Sequence, residues 1–157
     1  MNKKAWLLSL LFSVVLISAP AVYAQGGVKA GPDPSTMRDP DLEKDSLHNL
    51  EVARNYFKLK KAYVAALSRL EEIIAGNPNF AKIEEVYLMA GQASLWLADG
   101  KGKQKSERSK LTPEQLKQQG REYLSKLVND YPDGQFTKQA AEELSAVGGP
   151  LPKTANP

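Results

Sequence analysis

The 157 residues contain no cysteine and a single histidine. Without cysteine there is no disulfide, no thiol nucleophile and no thiolate metal site, so packing alone has to hold the fold. With His48 alone, no zinc site built from several imidazoles can form. A Ser-His-Asp arrangement would have to use Asp45 and Ser46, which share a helical turn with His48 and do not converge on a cleft. The pairs Glu71–Glu72, Glu84–Glu85 and Glu142–Glu143 are adjacent, and adjacent helical residues point about 100° apart, so none is an acid/base dyad. "DGKGKQKS" (99–106) has glycine and lysine but follows no strand, which rules out a phosphate-binding loop. No stretch alternates apolar and polar residues with period two for the length of a strand. These absences predict an all-α protein with no catalytic residues, no metal and no cofactor.

Long apolar runs are scarce as well. Ala5 to Ala19, "AWLLSLLFSVVLISA", is short for a membrane span, which needs about 20 residues. It follows Lys3 and Lys4 and precedes "PAVYA", where Val22 and Ala24 suit the −3 and −1 positions of a cleavage site. This is the pattern of a secretory signal peptide over 1–24, cleaved after Ala24. Export into the periplasm follows, and the sequence after the cleavage point, "AQGG", offers no cysteine for a lipid anchor. Removing Lys3 and Lys4 from the 21 basic residues leaves 19 against 18 acidic ones. A near-neutral mature chain lacks the electrostatic footing for nucleic acid.

Residues 25–40 and 148–157 are rich in glycine and proline and poor in large apolar residues, which predicts a disordered leader and a disordered tail. The folded part is then one domain over 41–147. Five helices are expected within it. The first runs from Asp41 or Ser46 to Leu59, with Leu47, Leu50, Ala53 and Phe57 on one stripe. The second covers Ala62 to Ala75 and stops at Gly76 and Pro78. The third, Phe80 to Ala98, is apolar around most of its circumference and should be the most buried. Residues 99–111 read as a basic, mobile insertion loop. Thr112-Pro113-Glu114-Gln115 carries a capping box and opens the fourth helix, which ends at Pro132-Asp133-Gly134. The fifth covers Phe136 to Val147.

Two of the stops align. Ala66 and Leu70 precede Pro78 by the same 12 and 8 positions that separate Gly120 and Leu124 from Pro132. A small residue, a large apolar one four later and then a helix-breaking proline form the second half of a tetratricopeptide repeat: the small residue lets two helices approach, and the large one fills the contact. Tyr87, Ala90 and Gly91 match the first half in the second repeat. Phe57 to Ala66 spans 9 positions and Ser94 to Gly120 spans 26, so the basic loop is an insertion within the second hairpin. The first hairpin has Lys61 at the corner, where a glycine is usual. The fifth helix begins a third unit and caps the array.

"A-x-x-Y-F … K-A-Y-x-A-A-L-x-R-L-x-x-I … N-P" (53–78), "E-x-x-Y-L-x-A-G-x-A" (84–93) and "Y-L-x-x-L-V-x-x-Y-P-D-G-x-F" (123–136) resemble the tetratricopeptide domain of outer-membrane assembly lipoproteins of the BamD (YfiO) type. The resemblance covers about residues 41–147. It implies helical hairpin repeats and a non-enzymatic scaffold that binds a protein or peptide in the cell envelope. Periplasmic repeat adaptors of cell division and cell-wall coordination, of the Tol-Pal associated type, carry similar repeats and stand as the alternative.

If the first helix of each hairpin lines the concave side, the outward positions are His48, Glu51, Asn55, Lys58 and Leu59 on the first helix, and Glu85, Leu88, Gln92, Leu95 and Trp96 on the third. Leu88, Leu95 and Trp96 exceed what the core stripe requires and suit an amphipathic partner. Lys101, Lys103, Lys105, Arg108 and Lys110 form the one basic cluster, which reads as a solvated insertion or as a peripheral contact with anionic headgroups or an acidic partner.

Overall fold

The computed structural model describes residues 38–104 and 110–153. The expected signal peptide, the leader before residue 38, the centre of the insertion at 105–109 and residues 154–157 lie outside the described residues. Five α-helices follow one another: α1 (Pro40–Arg54), α2 (Tyr63–Gly76), α3 (Ile83–Ala98), α4 (Pro113–Asp130) and α5 (Thr137–Ala146). No strand occurs among the described residues. Each helix packs chiefly on its neighbours in the chain, and α3 with α4 forms the most extensive contact. Stacked hairpins bury their apolar faces in this way, as the tetratricopeptide-like reading requires.

The caps set the boundaries. The Asp39 side chain accepts hydrogen bonds from the Asp41 and Leu42 N–H groups, with Pro40 at the first helical position of α1. Thr112 and Gln115 form the expected reciprocal capping box at α4. The third helix starts later than expected because Pro78 to Lys82 form turns before Ile83.

α1 does not end at Arg54. It continues as a π-helical turn, Asn55–Lys60, and then stops at Lys61, whose φ of 49° and ψ of 36° are left-handed. The N–H of Ala62 closes the corner on the Tyr56 carbonyl at 2.9 Å. A single helix through 56–75 is therefore excluded, and the first hairpin turns where the repeat places its corner.

The buried stripe of α1 is Ser46, Leu50, Ala53 and Phe57, whereas Leu47 is 37% exposed. Ser46 can be buried because Asn77, itself buried, donates its side-chain amide to the serine hydroxyl at 3.1 Å. The same amide reaches Glu43, which also accepts from the Ala81 N–H, so the start of α1 is stitched to the α2–α3 corner.

α3 is the most buried helix, with residues from every side in the core. Its approach to α4 depends on two glycines. A Cβ on Gly91 would lie 2.5 Å from Leu124 Cγ, and one on Gly120 would lie 2.8 Å from Leu95 Cγ and 3.1 Å from the Gly91 carbonyl oxygen. Leu116, Leu124 and Leu127 of α4 and Leu144 of α5 are fully buried. Each such leucine contributes about 1.5–3 kcal/mol.

The tail departs from expectation over its described part. Arg121 donates to the carbonyls of Gly148 and Gly149, Ser125 Oγ accepts from the Leu151 N–H at 2.8 Å, and Asn129 donates to the Leu151 carbonyl at 3.0 Å. Residues 148–153 thus run along α4, anchored at its i, i+4 and i+8 positions, and Lys153 closes an ion pair on Asp130 at 3.1 Å. Glycine and proline give this segment no core of its own, but its main chain is read by polar side chains of α4.

Candidate partner-binding face

On α1 and the π turn that continues it, the stripe His48, Glu51, Asn55 and Lys58 is exposed along its length, and Leu59 near the end of the π turn is 75% exposed. The spacing of three and four residues puts these positions on the helix face opposite Leu50 and Ala53.

The α3 half of the expected groove is different. Leu88 is 5% exposed and belongs to the core. Gln92 is 9% exposed, and its amide donates to Glu143 of α5 at 2.6 Å. These two residues do not face an open groove: Leu88 is spent in the core, and Gln92 is held by Glu143 of α5. Glu85 is half-buried and engaged: Arg54 of α1 holds it with two short hydrogen bonds, Nε to Oε1 at 2.7 Å and Nη2 to Oε2 at 2.6 Å. The hydrogen bond to Glu85 raises the Arg54 pKa above its ordinary value and locks α1 to α3.

Leu95 and Trp96 are half-buried. The Trp96 ring lies 4.8 Å from Phe57, tilted, and 5.0 Å from Tyr63, edge-on, while Phe57 and Tyr63 meet edge-on at 5.2 Å. Three elements, the π turn, the start of α2 and the end of α3, thus meet in one aromatic cluster beneath the corner. Trp96 thus seals the corner with part of its ring and stays partly exposed.

Of the basic loop, Lys101, Lys103 and Lys110 are described and exposed, and Lys105 and Arg108 lie outside the described residues. The first part of the insertion is fastened to the corner. The Lys103 N–H donates to the Lys61 carbonyl at 2.9 Å. The Gln104 side chain accepts from the Ala65 N–H at 3.2 Å, in the first turn of α2, which has no side-chain cap of its own. Gln104 thus supplies a cap from another segment.

One polar network was not legible in the sequence. Glu71 of α2 accepts from Gln119 at 2.9 Å and from the Tyr123 hydroxyl at 3.1 Å, and Gln119 in turn accepts from Ser94 at 3.3 Å. Burial, followed by the Glu71 charge, pushes the Tyr123 phenol well above its ordinary pKa, so it stays a hydrogen-bond donor throughout the physiological range. The network ties α2, α3 and α4 together. Its only sequence signal is polar residues at positions facing a neighbouring helix.

Among the described residues no three His, Asp or Glu side chains gather where they could hold a metal ion. No helix among them is long and apolar enough to cross a membrane. A cleft of about 310 Å³ lies between the two helix-breaking corners, lined by Arg38, Phe80, Glu84 and Tyr131 among others. One Glu84 carboxylate oxygen is buried without a hydrogen-bond partner, close against the backbone of Gly134.

No curated protein and no solved structure gave a match to the chain. The family model described as YfiO, outer membrane lipoprotein, matches residues 43–152. The match spans every helix except the first residues of α1 and includes the part of the tail docked on α4. The chain belongs to the YfiO, BamD-like family of outer membrane lipoproteins.

Proposed function

We propose that the protein is a non-enzymatic scaffold in the periplasm that holds a protein or peptide partner during outer membrane protein assembly. The family match over 43–152 is the observation that carries this reading. Export by the segment ending at Ala24 belongs to it. The binding face is the exposed α1 stripe, His48, Glu51, Asn55 and Lys58, with Glu85 beside it on α3. A polar stripe on a helix held rigid by the Arg54–Glu85 bridge offers a pre-organised surface for a complementary helix or extended chain. No cofactor and no nucleic acid enter this function.

Affinity purification from an envelope extract tests it. Wild-type protein should recover β-barrel assembly components. The double variant Glu51→Lys, Asn55→Glu, which changes exposed side chains only, should lose them with its helical content intact. Recovery of Tol-Pal components or cell-wall synthases instead would move the protein to division or cell-wall coordination.

A further inference from the structure

Leu59 is 75% exposed, against 43% for Leu42 and 37% for Leu47. It stands on the π-helical turn between Lys58 and Lys60, with Lys61 next, and all three lysines are exposed. The insertion brings two more lysines to this place. The Lys103 N–H donates to the Lys61 carbonyl at 2.9 Å and the Lys101 N–H to the Trp96 carbonyl at 2.8 Å, with Gly102 set against the Tyr63 ring. Backbone hydrogen bonds therefore bring lysines from two segments far apart in the chain to the corner that carries Leu59. Asp99 offsets part of this charge through its pair with Lys101 at 2.8 Å.

This corner is expensive for a solvated turn. Lys61 holds a left-handed backbone that favours glycine, and π winding is rarer and weaker than α winding. Strain and π turns kept together at one exposed place point to function. The aromatic cluster of Phe57, Tyr63 and Trp96 beneath makes the corner stiff, so Leu59 is held outward instead of folding back.

We propose that this corner docks on an anionic phospholipid surface, with Leu59 entering the headgroup layer and Lys58, Lys60, Lys61, Lys101 and Lys103 contacting phosphates. Protein interfaces are depleted in lysine. A protruding apolar side chain on a lysine-rich corner instead suits the boundary between headgroups and acyl chains. This contact goes beyond the scaffold reading and uses a separate surface from its binding face, apart from Lys58.

The exported form expected after cleavage at Ala24, residues 25–157, serves for the test, and it carries the core from Leu50 to Leu144 found among the described residues. It should co-sediment with phosphatidylethanolamine–phosphatidylglycerol vesicles, less so as salt rises, and not with phosphatidylcholine vesicles. Leu59→Asp should weaken the partition about tenfold, and Lys60→Ala and Lys61→Ala about fivefold each. Lys138→Ala, an equal charge change on exposed α5, should leave it unchanged. Trp96 is the only tryptophan of residues 25–157, so brominated lipid should quench its emission in the wild type at a lipid concentration that leaves Leu59→Asp largely unquenched. No association with the anionic vesicles, equal association with phosphatidylcholine, or a Lys138→Ala loss matching that of Lys60→Ala overturns the proposal. Vesicle-bound protein with unquenched Trp96 also overturns it. Partner capture by Leu59→Asp from the envelope extract is read separately, so the scaffold and lipid readings fail in different assays.

Discussion

Lys61 shows how one side chain can oppose its own backbone. A left-handed conformation costs a non-glycine residue about 1–2 kcal/mol. Glycine would relieve that but would loosen the unfolded chain, at about 0.4–1 kcal/mol. Lys61→Gly should therefore raise stability by about 0.5–1 kcal/mol in urea unfolding. The corner was legible because the repeat marks that position for glycine, and the φ of 49° found there agrees. Trp96 was not legible in the same way. Its helix is apolar nearly all round, so pattern alone could not separate an aromatic that seals a corner from one that faces a groove. Trp96→Ala removes the ring shared by Phe57 and Tyr63. It should cost about 2–3 kcal/mol, somewhat less than for a fully buried tryptophan. A fold of unchanged stability would return Trp96 to the surface.

At the scale of elements, the α3–α4 crossing depends on the absence of two methyl groups. Gly91→Ala places a carbon 2.5 Å from Leu124, which is fully buried and has little room to yield. The gain in helix propensity, about 1 kcal/mol, is outweighed, and a net loss of about 1–2 kcal/mol in thermal unfolding is expected. The alignment of Gly120 with Ala66 already marked one side of this contact, since both positions hold a small residue at the same distance before a proline. The strap formed by 148–153 escaped notice because its partners, Arg121, Ser125 and Asn129, look like an ordinary solvated helix face.

Asp130 makes the strap sensitive to acid. Hydrogen bonds from Lys126 and then Lys153 hold its carboxyl below the usual carboxylate range. A depressed folded pKa contributes stability above the ordinary value, about 3.9, and that contribution is lost as pH falls through the folded value. The protection factor of the Leu151 amide, which donates to Ser125, should accordingly fall below about pH 4 and stay level between about pH 5 and 8.

For the whole molecule, the outline was open to a close reading: helices ended by glycine and proline, one capping box and two aligned repeats. Which helix faces stay exposed was harder. That depends on how hairpins stack and on what the last helix covers, and here Glu143 of α5 reaches Gln92 across the array. Two repeats carry too little periodic signal to set that register. The α1 stripe escaped this problem because α1 lies at one end of the sequential stack, with α2 as its main helical neighbour.

Neighbour-on-neighbour packing also has a mechanical consequence. Tension applied between the two ends of this domain would not meet one brittle lock. The strap along α4 would peel first at one end, and at the other α1 would be torn from α2 only after its Glu43 and Arg54 anchors gave way. The glycine-tight pair α3–α4 would be the last to part, so a stretched molecule would yield in steps and could recoil from its centre outward.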